Sequence, residues 1–179
     1  MTLPAFRYHP DPMQSGSIVA SAAACRCCGQ SRGYIYDIPA YAVQELSNSL
    51  CPWCVADGSA HARFDATFTD SEAFPEGTPA SAVEEITERT PGYSAWQSEY
   101  WPMCCDDATA FLMPAGIEEI RKYHRDWEGA ILNHIVYEMQ ISGGAATRLL
   151  GSLHRDKGPT AYLFQCLHCG TPHFHIDGP

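Results

Sequence analysis

Two Cys-x2-Cys pairs, Cys25/Cys28 and Cys51/Cys54, stand 22 residues apart, and no other feature of the chain restricts its fold as tightly. A two-residue gap lets a tight turn aim both sulfurs at one point. Gly29, directly after the second cysteine, permits close backbone approach or a positive φ. Two such turns complete a tetrahedron of thiolates around one ion. Because a closed four-sulfur set leaves no position for water or substrate, the spacing points to structural zinc rather than catalysis, with iron the chemical alternative.

Cys166 and Cys169 form a third pair, again followed by glycine, and need partners from elsewhere in the chain. Apart from Cys27, the doublet Cys104-Cys105 is the remaining thiol source. In an extended segment adjacent side chains point to opposite faces, so one of the two is expected to ligate. Cys105 is the choice, because Asp106 and Asp107 follow it and can start a turn or helix whose N–H groups stabilise a thiolate. The second zinc site is therefore expected at Cys166, Cys169 and Cys105, with Cys104, His173 and His175 as alternatives. The imidazoles are less attractive, since a strand would carry them away from the knuckle tip.

Cys51-Pro52-Trp53-Cys54 also admits a redox reading, as Cys-Pro-aromatic-Cys occurs in glutaredoxin-like enzymes with a depressed thiol pKa. Its context argues otherwise: Gln44 to Ser49 is polar and turn-like rather than a buried strand, and a complementary cysteine pair lies upstream. Enzymatic signatures are absent, with no His-Glu-x-x-His, no Walker-type loop, no Gly-x-Ser-x-Gly and no deaminase His-x-Glu before the cysteine pairs. Tyr93, Trp96, Tyr100 and Trp101 either line a pocket or pack in a core, and core packing is the default. His124 and His134 are read as packed residues on or beside a helical stripe.

Of the 179 residues, 45% are apolar, enough for a core, yet 13 prolines and 14 glycines force much of the chain into turns. The expected class is a loop-rich α+β fold with zinc-knuckle or zinc-ribbon-like hairpins and a few short helices. Val19 to Ala24 and Gly33 to Ile38 read as strands around the first knuckle, and Ala161 to Gln165 and His173 to Ile176 as strands around the last. Between them, Pro79 to Glu88 reads as a helix capped by Thr78. The stripe Ile117, Ile120, His124, Trp127, Ile131, Ile135 predicts a longer helical region with Gly129 as its break, and Ala145 to Leu153 a further short helix. No linker marks a boundary. The chain is expected to be one zinc-stabilised domain over 1–179, with knuckle regions 19–64 and 161–176 and a helical middle 78–153.

Net charge is −10, with 11 basic residues against 21 acidic, and residues 65–88 contain no Lys or Arg. Four thiolates around Zn²⁺ add a further −2 or so per site. Nucleic-acid binding requires the opposite balance and is not expected. The first 17 residues hold no apolar run suited to an export signal. The small residues before Cys25 resemble a lipoprotein site only in part, with a short apolar stretch and no basic cluster before it. No segment approaches the length of a membrane span. A cytoplasmic protein is expected, and a reducing compartment disfavours disulfides.

The chain resembles the CbrC family of bacterial proteins, whose name carries a colicin-tolerance association. The resemblance rests on Phe6-Arg7-Tyr8-His9-Pro10-Asp11-Pro12, Cys25-x-x-Cys28-Gly29 with Gly33-Tyr34-Ile35-Tyr36, Leu50 to Gly58, Arg89-Thr90-Pro91-Gly92-Tyr93, and Cys166-Leu167-His168-Cys169-Gly170. It covers nearly the full length and implies a compact protein with paired zinc-type cysteines, without an activity to carry over. Two function classes follow. One is a zinc-fixed interaction module, more a binder than an enzyme, meeting a protein or small-molecule partner in stress or bacteriocin tolerance. The other is thiol redox or metal sensing through Cys51/Cys54 or Cys104/Cys105. From the charge balance, micromolar protein is expected to give no mobility shift with DNA or RNA near physiological salt; a salt-sensitive shift would refute that argument.

Overall fold

The computed structural model describes residues 2–179 as a loop-rich α+β fold with seven short helices and small antiparallel sheets. Strands β1 (Ile18–Ala20) and β2 (Tyr34–Tyr36) pair as a hairpin, and α1 (Pro12–Ser15) precedes them. Helices α2 (Pro52–Ala56), α3 (Ser59–Phe64) and α4 (Ala80–Arg89) follow. Next comes a two-residue hairpin of β3 (Met103–Cys104) and β4 (Asp107–Ala108). Then β5 (Ala110–Ala115), α5 (Ile117–Tyr123), α6 (Glu128–Tyr137), α7 (Gly144–Ser152), β6 (Thr160–Gln165) and β7 (Pro172–Asp177) complete the order. Strands β5, β6 and β7 form a three-stranded antiparallel sheet with β6 in the centre.

Alternation along β6 divides the hydrophobic core. Tyr162 and Phe164 face an aromatic cluster with Tyr8, Ile86, Tyr93, Trp101 and Phe111, whereas Ala161 and Leu163 face α5, α6 and α7 through Ile120, Ile131, Ile135 and Leu150. On β5, strict alternation would put Phe111 and Met113 on one face. A register shift between them sends Phe111 to the aromatic cluster and Met113 to the helices. A third cluster gathers Phe6, Ile18, Tyr36, Leu46, Leu50, Val55 and Phe68 around Cys25, Cys51 and Cys54.

Two details of the helices differ from the sequence expectation. Thr78 does not cap α4: its hydroxyl donates to the Pro75 carbonyl, and Pro79 itself takes the N-cap position. The long stripe breaks not at Gly129 but at His124, where φ −139 and ψ 42 end α5 before a 3-10 turn, Arg125–Trp127. The His124 ring stacks on Trp127 at 4.3 Å between centroids, and Gly129 lies inside α6 with open space about its Cα. The four-residue aromatic group divides as well. Tyr93 and Trp101 are core residues, while Trp96 and Tyr100 remain about two-fifths exposed.

The segment around His9 shows why two of the motifs belong together. His9 is fully buried, its Nδ1 lies 2.6 Å from the Pro91 carbonyl and its Nε2 2.7 Å from Ser15 Oγ. The carbonyl can only accept, so Nδ1 carries the proton and the neutral ring accepts from Ser15. Ser17 donates to the Gly92 carbonyl at 2.7 Å. A Cβ on Gly92 would lie 1.7 Å from the Phe68 carbonyl oxygen, so glycine alone permits this approach. Burial lowers the His9 pKa to about 4, despite the opposing effects of the Pro91 carbonyl and Asp11. Between about pH 4 and the ordinary value near 6.5 the unfolded chain therefore binds more protons than the folded one. Stability from the neutral ring is complete above that window and is lost as pH falls through it, by about 3 kcal/mol in all. Urea unfolding from pH 7 to pH 4 is expected to show this loss, and His9→Gln, whatever its own stability, is expected to show a flatter pH dependence.

Candidate metal centres

The eight cysteines of the three pairs and the doublet lie in two groups. The sulfurs of Cys25, Cys28, Cys51 and Cys54 are all within 4.8 Å of one another, as are those of Cys104, Cys105, Cys166 and Cys169. None of the nine cysteines is bridged. Cys27 stays apart from both groups, buried with its sulfur 3.6 Å from Ser59 Oγ.

Two knuckles with one hydrogen-bond pattern supply the paired cysteines at each site. In the first, Gly29 N–H donates to the Cys25 carbonyl at 2.7 Å and Cys25 N–H to the Gln30 carbonyl at 2.9 Å. In the last, Gly170 N–H donates to the Cys166 carbonyl at 3.1 Å and Cys166 N–H to the Thr171 carbonyl at 2.9 Å. Gly29 and Gly170 have φ of 73° and 74°, a left-handed conformation that glycine adopts without Cβ strain. In each knuckle the residue after the second cysteine thereby turns the chain back into its strand partner.

The first group is closed by α2. Cys51 is the N-cap residue of that helix with extended backbone, Pro52 occupies the first turn, and Cys54 N–H donates back to the Cys51 carbonyl at 3.0 Å. Cys25, Cys51 and Cys54 are buried and Cys28 is exposed. Sulfur separations are 3.8 Å for Cys25–Cys54 and 3.9 Å for Cys28–Cys51. A tetrahedron with metal–sulfur bonds of about 2.3 Å has edges of about 3.8 Å, so the donor set fits such an ion. Burial raises the Cys25 pKa, but N–H groups of Cys28, Cys51 and Cys27 outweigh it and bring the thiol to about 7. Burial pushes Cys51 up to about 11 and Cys54 higher still. A bound cation reverses that penalty by deprotonating the coordinating thiols.

The second group departs from the expectation that the doublet splays to opposite faces. Cys105 and Asp106 have φ of 53° and 57°, the two left-handed positions of a type I′ turn joining β3 to β4. The turn curls the backbone so that both sulfurs converge, Cys104 lying 3.8 Å from Cys105 and 3.7 Å from Cys169. These separations again match the tetrahedral edge. Asp106 and Asp107 start no helix. His173 and His175 lie outside the sulfur group, on β7: His175 stacks on Tyr162 and its Nε2 is 3.1 Å from the Ser98 carbonyl. This second group is the more accessible, with only Cys166 buried.

Sequence reasoning missed what holds this group to the rest of the molecule. Asp107 accepts from the Tyr8 hydroxyl at 2.8 Å and from Arg7 Nη2 at 2.5 Å, and its Oδ2 is 2.9 Å from His168 Nε2. His168 is one of the two residues enclosed by Cys166 and Cys169, so a single carboxylate joins the knuckle, the doublet turn and the N-terminal motif. Burial raises the Asp107 pKa, but hydrogen bonds from His168 and Tyr8 and the Arg7 charge outweigh it and hold the carboxyl below its usual range. The signal available in sequence was the position of Asp107, two residues after Cys105, but nothing local named Arg7 and Tyr8 as partners.

Fold and site together define a loop-rich α+β protein with two four-cysteine groups, each able to hold a metal ion. Over residues 3–178 the chain matches the family described as an uncharacterised protein family, UPF0167, and it belongs to that family. It is 46% identical to a UPF0167 protein of Pseudomonas aeruginosa, across 98% of this chain and 97% of that one. It is 43% identical to UPF0167 proteins of Mycobacterium bovis and Mycobacterium tuberculosis, across 98% of this chain and 93% of each. No solved structure matches it significantly. No helix among the described residues is long and apolar enough to cross a membrane.

Because both sulfurs of the doublet converge, Cys104→Ser and Cys105→Ser are each expected to lose about one metal equivalent per chain from the same group. Metal analysis of purified variants checks this. Loss in only one of them would mean that a single doublet cysteine ligates.

Proposed function

We propose that each group holds one zinc ion as a structural cross-link and that the protein is an interaction module rather than an enzyme. The observation that carries this reading is the convergence of eight thiols into two closed sets of four. Four sulfurs fill the preferred coordination of zinc and leave no place for a substrate or reactive water. Cys25, Cys28, Cys51 and Cys54 form the first set; Cys166 and Cys169 with both Cys105 and Cys104 form the second. On this reading the whole chain is one zinc-stabilised domain, since the ions fasten segments 22 and about 60 residues apart in a chain with short regular elements. Iron remains the chemical competitor for either set.

A thiol-redox role for Cys51 and Cys54 has less support. A nucleophilic cysteine needs access and a depressed pKa, whereas both residues are buried and burial drives both thiols up. A reducing compartment such as the cytoplasm suits nine unbridged thiols. Kinship with CbrC proteins, with its association with bacteriocin tolerance, belongs to the same proposal, as does a protein or small-molecule partner in place of nucleic acid.

The zinc reading predicts about two zinc per chain by elemental analysis and thiols that resist modification until a chelator is added. Apparent zinc-binding free energies of about 10–16 kcal/mol rival a whole domain's stability. Cys51→Ser is therefore expected to be insoluble or to lose the first ion. Soluble, folded Cys51→Ser with unchanged metal content would reject the proposal, and iron in place of zinc would overturn the identity of the ion.

A further inference from the structure

A groove lies between α6, β7 and the loop that carries Tyr100. It consists of two adjoining hollows of about 620 and 610 Å³ that share Tyr100, His134, Glu138 and Phe174. Each is within the size range of small-molecule sites. One hollow is walled by Met103, which precedes Cys104, and by Thr171, whose hydroxyl oxygen is 3.1 Å from Cys169 Sγ. The second cysteine group thus shapes one end of the groove without lying in it.

The charge of the lining is one-sided. Asp70, Glu72, Glu99 and Glu138 border the groove, and no Lys or Arg does so among the described residues. None of these four carboxylates is in a salt bridge among the described residues. Asp70 has a local role, accepting from Glu72 N–H at 2.9 Å, and Glu99 accepts from Asp70 N–H at 2.9 Å. Burial pushes Glu99 up to about 7, as befits an acid with no cation beside it. Among these acids stand the rings of Tyr100, Tyr137 and Phe174, the first two substantially exposed.

We propose that this groove binds a small organic ammonium compound, its charged head among Glu72, Glu99 and Glu138 and its apolar body against Tyr100, Tyr137 and Phe174. Ring faces and carboxylates attract the same ligand charge, and both act more strongly on a cation that leaves bulk water. An anion of equal shape meets uncompensated repulsion, so the groove discriminates by sign as well as by fit. This goes beyond the structural-zinc reading and does not depend on it, because no groove acid is a cysteine-group ligand.

The test titrates full-length, metal-replete protein with benzylamine and with its isosteres benzyl alcohol and benzoate, followed by nuclear magnetic resonance shifts of Tyr100, His134 and Phe174. Benzylamine is expected to saturate, with the neutral and anionic probes at least about tenfold weaker. Glu138→Gln, at an exposed position, is expected to weaken benzylamine by about tenfold at unchanged zinc content, while Glu118→Gln on α5 leaves it unaltered. Absence of saturation, equal response to all three probes, or unaltered binding by Glu138→Gln would overturn the proposal. Zinc content, measured on the same samples, separates that failure from a failure of the metal reading.

Discussion

Strand β6 is packed on both faces, and the positions of most other elements follow from that constraint. A six-residue strand covered on each side needs apolar side chains in both directions, and Ala161-Tyr162-Leu163-Phe164 supplies them. Its aromatic face collects Tyr93 and Trp101, with Tyr93 stacked on Phe111 at 4.5 Å between centroids. Its aliphatic face receives three short helices, each below the length at which a helix is stable alone. Two edge strands satisfy its backbone, and its C-terminal end delivers Cys166 to the second sulfur group.

The two sulfur groups share a knuckle but differ in what surrounds it. Around Cys25, Cys51 and Cys54 the hydrophobic cluster of Phe6, Leu50 and Val55 excludes water, which makes unpaired charge costly there. Around Cys104, Cys105 and Cys169 the sulfurs reach the surface, and a polar network through Asp107 takes the place of the apolar jacket. Asp107 is itself mostly buried, and donors offset the cost at both carboxylate oxygens, the Tyr8 hydroxyl and the Ala108 N–H at one, Arg7 and His168 at the other.

The acidic balance acquires a location in the structure. Several of the 21 acids are local devices, such as Glu119 reaching back to the Gly116 N–H at 2.9 Å and Glu128 paired with Arg121. Those around the groove are in no salt bridge among the described residues, and they stand beside exposed rings. Part of the acidic excess thereby gathers on one particular face of the molecule.

By itself the sequence determined the knuckles, because a Cys-x2-Cys-Gly turn is set by residues next to one another: Gly29 and Gly170 can take a positive φ wherever the chain goes. It also determined the class of fold, through short alternating runs between prolines and glycines, and the membership of Cys25, Cys28, Cys51 and Cys54 in one group, through the matched spacing. Tertiary structure decided the rest, for reasons of distance and competition. Cys104 and Cys105 share a group because two consecutive left-handed residues form a hairpin turn, where extended backbone would have separated them. The break in the helical stripe falls at His124, whose ring stacks on Trp127, and not at the more flexible Gly129. Tyr93 and Trp101 went to the core, where their rings pack against Phe164 of β6, while Tyr100 went to the groove. Asp107 likewise acquired its role from Arg7, Tyr8 and His168, partners about 100 and 61 residues away whose approach depends on the whole fold.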